Sequence, residues 1–162
     1  MLKSLLAACL VLGLSAGVAA AAGTSSDTST EAAATPDPFV EKYGDLGPDY
    51  VAAEALVKAE KYAEAITALE ALNKPEDPRV LNYLGYSHRK IGETDKGIEF
   101  YTKALTIAPD FTQAREYLGE AYVQAKDLDK AKGELAEIEK LCGNQDCEEY
   151  KDLAEAISAA GS

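Results

Sequence analysis

Tryptophan is absent from this 162-residue chain, phenylalanine occurs three times, and histidine once. A β-sandwich fills its pleated faces with Val, Ile, Thr and aromatics, whereas this chain draws on Ala, Leu and Tyr, a palette for packed helices. Its one histidine, His88, is read as a packed or partly buried side chain inside a helix. A structural zinc wants four ligands, and two late cysteines with one distant histidine fall short. There is no Gly-x-Ser-x-Gly, no phosphate loop and no His-Glu-x-x-His. Acidic neighbours such as Glu148-Glu149 point apart on a helix and make no acid/base pair. We therefore expect no enzyme, no catalytic residue, no metal and no cofactor. Basic residues are also scarce: 16 Lys and Arg stand against 28 Asp and Glu, a net charge of -12. Nucleic acid, which needs a Lys/Arg footprint, is an unfavourable partner. An anionic membrane surface is disfavoured for the same reason. The length suits one domain.

A continuous apolar run occurs only at the start. Residues 1–22 carry Lys3, an apolar Leu5-to-Val18 stretch, and Ala20 and Ala22 before Gly23. That is the layout of a cleavable secretory signal. A permanent anchor wants about 20 strongly apolar residues, and this stretch is rich in Ala and Gly. Leu6-Ala7-Ala8-Cys9 resembles a lipoprotein lipobox, but too little apolar sequence precedes it, so Cys9 reads as filler of the signal. The expected address is the periplasm, with no membrane attachment after cleavage. Full secretion and a lipid anchor through Cys9 are the alternatives. Residues 23–45 form a leader of Ser, Thr, Ala, Asp and Pro without apolar period. Near its end, Phe39, Val40 and Tyr43 are spaced for a short turn docking on the core. Pro48 suits the first turn of a helix.

The remainder repeats. Tyr83-Leu84-Gly85 returns as Tyr117-Leu118-Gly119, and Asp95-Lys96 as Asp129-Lys130, both 34 residues later. The interval from Gly85 to Gly97 equals that from Gly119 to Ala131 and from Ala53 to Ala65. Leu81, Leu84-Gly85, His88, Gly97, Tyr101 and Pro109 resemble the tetratricopeptide repeat (TPR) consensus. The next repeat offers Arg115, Leu118-Gly119, Tyr122, Ala131 and Leu135, with Gly143 in place of the closing proline. An earlier, degenerate repeat offers Ala52-Ala53, Leu56, Ala65 and Leu69. The resemblance implies an all-α solenoid of antiparallel helix pairs over residues 46–77, 78–111 and 112–145. Small residues let the paired helices approach closely, and Asp95 and Asp129 complement helix N-termini. One repeat cannot bury its own face, so about three are needed.

Residues 146–162 read as a capping helix. Gly143 fits a helix C-terminus, Asp146 with Glu149 reads as a capping-box variant, and Tyr150, Leu153, Ala154 and Ile157 fall on one stripe. After signal removal two cysteines remain, Cys142 and Cys147, so one pairing is available. In an oxidising compartment they should form a disulfide that staples cap to solenoid, contributing about 2 kcal/mol given the short ring. A redox site is the weaker reading, because four residues intervene and no βαβ setting is in sight.

In TPR proteins the first helix of each repeat lines a concave face where peptides lie. Carried onto this chain, the resemblance implies lining by Tyr50, Glu54, Arg79, Asn82, Tyr86, Arg89, Lys90, Glu116, Glu120 and Gln124. Asn82, Tyr86 and Arg89 are four and three apart, and Glu116 and Glu120 four apart, so each set shares a face. Arg79, Arg89 and Lys90 make the middle positive, and Glu54, Glu116 and Glu120 make the flanks negative. A Lys/Asn/Arg clamp for a C-terminal carboxylate is not matched, because the last repeat offers Glu. The expected partner is a protein or peptide, and the protein an adaptor or assembly factor. Self-association through the first repeat and the Phe39–Tyr43 segment is the alternative, and a thiol redox role comes third.

Overall fold

The computed structural model describes residues 38–161. The signal segment, its cleavage positions, Cys9 and most of the leader lie outside the described residues. Eight helices follow in order, and no strand occurs among the described residues: α1 (Pro38–Tyr43), α2 (Gly47–Lys58), α3 (Tyr62–Ala71), α4 (Pro78–Lys90), α5 (Thr94–Ile107), α6 (Thr112–Gln124), α7 (Leu128–Cys142) and α8 (Glu148–Ala160). Helices α2/α3, α4/α5 and α6/α7 pack as antiparallel pairs, and each pair leans on the next through α3 with α4 and α5 with α6. The result is an all-α solenoid.

The turn inside each pair has one backbone form. Lys61, Glu93 and Asp127 each donate their N–H to the carbonyl five residues back, on Leu56, His88 and Tyr122. The residue before each donor turns left-handed: Glu60 at φ 59°, Gly92 at 91° and Lys126 at 63°. Glycine enters that region without steric cost, whereas Glu and Lys do so under strain. Helix starts are closed differently. Asp77 caps α4 by accepting from the Arg79 N–H at 3.0 Å, and Asp127 caps α7 by accepting from the Lys130 N–H at 3.2 Å. Pro48 sits in the first turn of α2, and Gly143 closes α7 with φ 70°.

Close approach explains the small residues. A Cβ on Gly85 would lie 2.8 Å from the Tyr101 ring, and one on Gly97 3.0 Å from the Gly85 carbonyl. Tyr101 is thereby fully buried between α4 and α6. Gly119 answers to a different neighbour: a Cβ there would run into the methyls of Leu153 on α8. Leu153 is fully buried, so the cap docks through a leucine set into a glycine notch.

At the N-terminal end the expected docking of Phe39 and Tyr43 is seen while the leader boundary moves, and at the C-terminal end one expectation changes. The segment drawn as leader to residue 45 contains α1, which docks: the Phe39 ring lies 4.4 Å from Phe111, and the Tyr43 hydroxyl donates to the Ile107 carbonyl at 3.4 Å. Apolar rings so close to the α5–α6 join gain more from burial than from solvation. The Asp146/Glu149 capping box is not formed. Cys147 is the N-cap of α8 and makes no side-chain cap bond, while Glu149 accepts from the Thr112 hydroxyl at 2.9 Å and so ties α8 to α6. Cys142 and Cys147 are brought together across this join, with Cα atoms 6.4 Å apart.

Candidate functional site: the concave face

Helices α2, α4, α6 and α8 lie side by side, each touching the next. Their shared face is the inner wall of the solenoid. At its N-terminal end α1 adds a lip, and a cavity of about 330 Å³ opens between α1, α2, α4 and the start of α6. Phe39, Leu46, Tyr50, Val51, Tyr83 and Phe111 give it apolar walls, and Glu54, Arg79, Asn82 and Gln113 give it polar points.

The polar groups here are largely held by one another. Tyr50 and Tyr83 pack ring to ring at 6.0 Å, with the Arg79 guanidinium 5.9 Å above Tyr50. Tyr83 donates its hydroxyl to Glu54 at 2.8 Å. Burial, then that hydrogen bond, hold the Tyr83 phenol well above its usual range, so it remains protonated. Glu54 also meets Lys58 at 3.0 Å. Arg79 is bound at both nitrogens by Asp77, at 3.0 and 2.7 Å, and is buried. Asn82 is 1% exposed and donates to Gln113 at 3.2 Å, but its carbonyl oxygen finds no partner among the described residues. A buried amide with half its capacity unused is costly unless something else fills it.

The middle of the face is a ladder of rings. Tyr62 to Tyr86 is 6.0 Å, Tyr86 to Tyr117 is 4.8 Å, and Tyr117 to Tyr101 is 6.1 Å. Arg89 lies 5.4 Å over Tyr86 and reaches across to the half-buried Glu120 on α6 as an ion pair. Lys90 is exposed, 5.2 Å above the same Tyr86 ring. Cation–π geometry holds both cations along the ladder. Gln124 lies exposed at the end of α6.

The C-terminal end is acidic. Glu116 on α6 is 7% exposed. Burial first, then the charges of Glu120, Asp152 and Glu149, push its pKa from the ordinary 4.5 up to about 8, while Arg89 opposes. The positive middle and negative flanks read from the sequence are therefore redistributed. Arg79 and Arg89 are each neutralised by a carboxylate, Lys90 stays outside, and the acidic groups left without a cation gather around Glu116.

Sequence reasoning missed Tyr83, Gln113, Tyr117 and Phe39 as neighbours of the groove. Tyr83 and Tyr117 stand in the repeated Tyr-Leu-Gly motif, so their signal was present. Phe39 had a signal for docking on the core but not for its place beside the groove, and Gln113 had none, because its contact comes from another helix. His88 lies on the other side of α4, 2% exposed, stacked on Phe100 at 5.3 Å and bonded through Nδ1 to Glu93 at 2.6 Å. Cys142, Cys147 and Glu149 have ligand-type atoms within 4.8 Å of one another. Joined to each other, the two sulfurs would leave one carboxylate, short of a structural zinc site.

Two models described as "Tetratricopeptide repeat" match the chain, over residues 50–110 and 90–157. The transcription factor tau 131 kDa subunit of Saccharomyces cerevisiae is 31% identical over 111 residues, covering 66% of this chain. The chain spans only 11% of that protein's length. Among solved structures, the Yersinia enterocolitica type III secretion chaperone SycD, in complex with a peptide of the translocator YopD, superposes with TM-score 0.59 at 21% identity, covering 76% of this chain and 90% of the other. The Sgt2 TPR domain of Aspergillus fumigatus superposes with TM-score 0.62 at 19% identity, covering 78% and 79%.

Proposed function

The chain belongs to the tetratricopeptide repeat family, and from that membership we propose that its concave face holds an extended segment of a partner protein, as a non-enzymatic adaptor or assembly factor outside the cytoplasm. The observation that carries the reading is the cavity of about 330 Å³ at the N-terminal end, where the unmet Asn82 carbonyl stands among tyrosine rings. An extended peptide presents backbone N–H groups and alternating side chains. Asn82 would accept from the backbone, and Tyr50, Val51 and Tyr83 would receive the side chains. The SycD structure, which holds a peptide of a partner protein, has a fold of the same kind.

The test is site-specific photo-crosslinking. A photoreactive residue is placed at Val51, which is 60% exposed on the cavity wall, or at exposed Thr102 on α5, away from the groove. Attachment of one protein at 51 and not at 102, mapped to a short extended segment, is the expected result. Equal attachment at both positions, or attachment at 102 alone, would remove the groove from the mechanism. Asn82 and Arg89 are poor probes, because their burial makes any truncation a stability change as well.

The address rests on Lys3, the Leu5-to-Val18 run and the Ala20/Ala22 cleavage positions. In that compartment Cys142 and Cys147 close a disulfide holding α8 to α7. One intact-mass measurement on protein isolated from its native source examines both claims. A chain beginning after the signal and lighter by two hydrogens is expected. An intact Met1, a lipid on Cys9, or two thiols would contradict them.

A further inference from the structure

We propose that the α6–α8 end of the concave face receives a lysine or arginine side chain of the bound segment, with Glu116 as its buried counter-charge. This rests on the reading of the concave face as a peptide groove. Four carboxylates meet here: Glu116 and Glu120 one turn apart on α6, Glu149 and Asp152 one turn apart on α8. Two are engaged, Glu120 with Arg89 and Glu149 with Thr112. Asp152 is exposed. Glu116 is more than nine-tenths buried as a residue and forms no ion pair with a cation among the described residues, while its carboxyl oxygens are not among the fully enclosed polar atoms of those residues.

A carboxyl group in that setting is expensive. Removing it from water without a donor costs free energy, and three neighbouring acids add repulsion. Arg89 relieves it only in part, and the surrounding cations are engaged elsewhere. Arg89 pairs with Glu120, Arg115 with Glu134, and Lys151 reaches the Asp146 carbonyl. Leucine or alanine at this position would avoid the cost. A cation arriving with the partner would repay it, gaining Glu116 and Asp152 together in a partly desolvated corner. Arginine fits best, since its planar fork serves two carboxylates at once.

A random-peptide phage library is panned against the wild-type chain and the Glu116→Gln variant. Glutamine keeps the shape but cannot ionise when a cation arrives, so the variant should fold, which circular dichroism checks. Wild type should select peptides with Lys or Arg at one fixed place, and the variant should lose that preference. The selected peptide is then synthesised with arginine or its neutral isostere citrulline. Citrulline should weaken binding to wild type roughly thirtyfold and leave binding to Glu116→Gln unchanged. Exposed Asp152→Asn should reduce the preference roughly threefold. A wild-type consensus without a basic position, or a preference that survives Glu116→Gln, overturns the proposal. In that case the groove itself still stands if a Val51→Trp variant loses the selected peptides. If wild type selects no peptide, both readings fall.

Discussion

The two ends of the concave face solve the same problem in opposite ways. At the α1–α2–α4 end, nearly every polar group is bonded to another: Tyr83 to Glu54, Arg79 to Asp77, Asn82 to Gln113. What is left is one amide oxygen among rings. At the α6–α8 end the Glu116 side chain is only 7% exposed, and its carboxyl group has no cation of its own among the described residues. The first end is a preformed apolar slot whose charges are already spent. The second is electrically incomplete, held together by shape, with Leu153 set in the Gly119 notch. A groove built this way would take side chains by fit at one end and by charge at the other.

The largest expected effect separates the ends by pH. Glu116 has a folded pKa of about 8 against an ordinary 4.5, so the folded chain holds a proton there that the unfolded chain releases. The stability from that proton is fully present below about pH 4.5 and is lost as pH rises through 8. Relative to Glu116→Gln, the wild type should lose about 5 kcal/mol between pH 4 and pH 9, measured by urea unfolding of both proteins. Parallel pH profiles would mean the carboxyl is satisfied and the contrast between the ends is false.

The next effect tests the notch. Gly119→Ala should cost about 2 kcal/mol, because the new methyl meets packed Leu153 rather than space. Gly133→Ala, on α7 where a Cβ meets nothing, should instead stabilise by about 0.5–1 kcal/mol. Thermal unfolding of both variants decides it, and equal changes would contradict the docking of α8. The smallest effect probes the satisfied end. Tyr83→Phe removes one hydrogen bond while Glu54 keeps Lys58, so about 1 kcal/mol should be lost. A loss several times larger would show that Tyr83 holds the slot open.

The helix pairs were legible because their signals are local and periodic. Recurring Tyr-Leu-Gly and the constant small-to-small interval put Gly85 against Gly97 without reference to any third helix. The turn was hidden by substitution: Glu60 and Lys126 adopt the same left-handed backbone as Gly92, and nothing in their side chains announces it. The side-chain pairings of the groove were not legible. Asn82–Gln113 and Arg89–Glu120 are both separated by 31 residues, close to one repeat, and only the solenoid brings them face to face. α1 was half legible. Its apolar spacing suggested docking, but Phe111 as the receiving ring depends on where α5 hands over to α6.

The tyrosine ladder has an optical consequence. With no tryptophan in the chain and three phenylalanines against nine tyrosines, its near-ultraviolet emission is dominated by tyrosine. Tyr62, Tyr86, Tyr117 and Tyr101 stand 4.8 to 6.1 Å apart in sequence along the ladder, close enough to pass excitation from ring to ring. Any ligand carrying an indole into the groove would act as the trap at the end of that relay. The protein thus carries its own unlabelled fluorophore array, running from the buried Tyr101 out to the face where a partner would arrive.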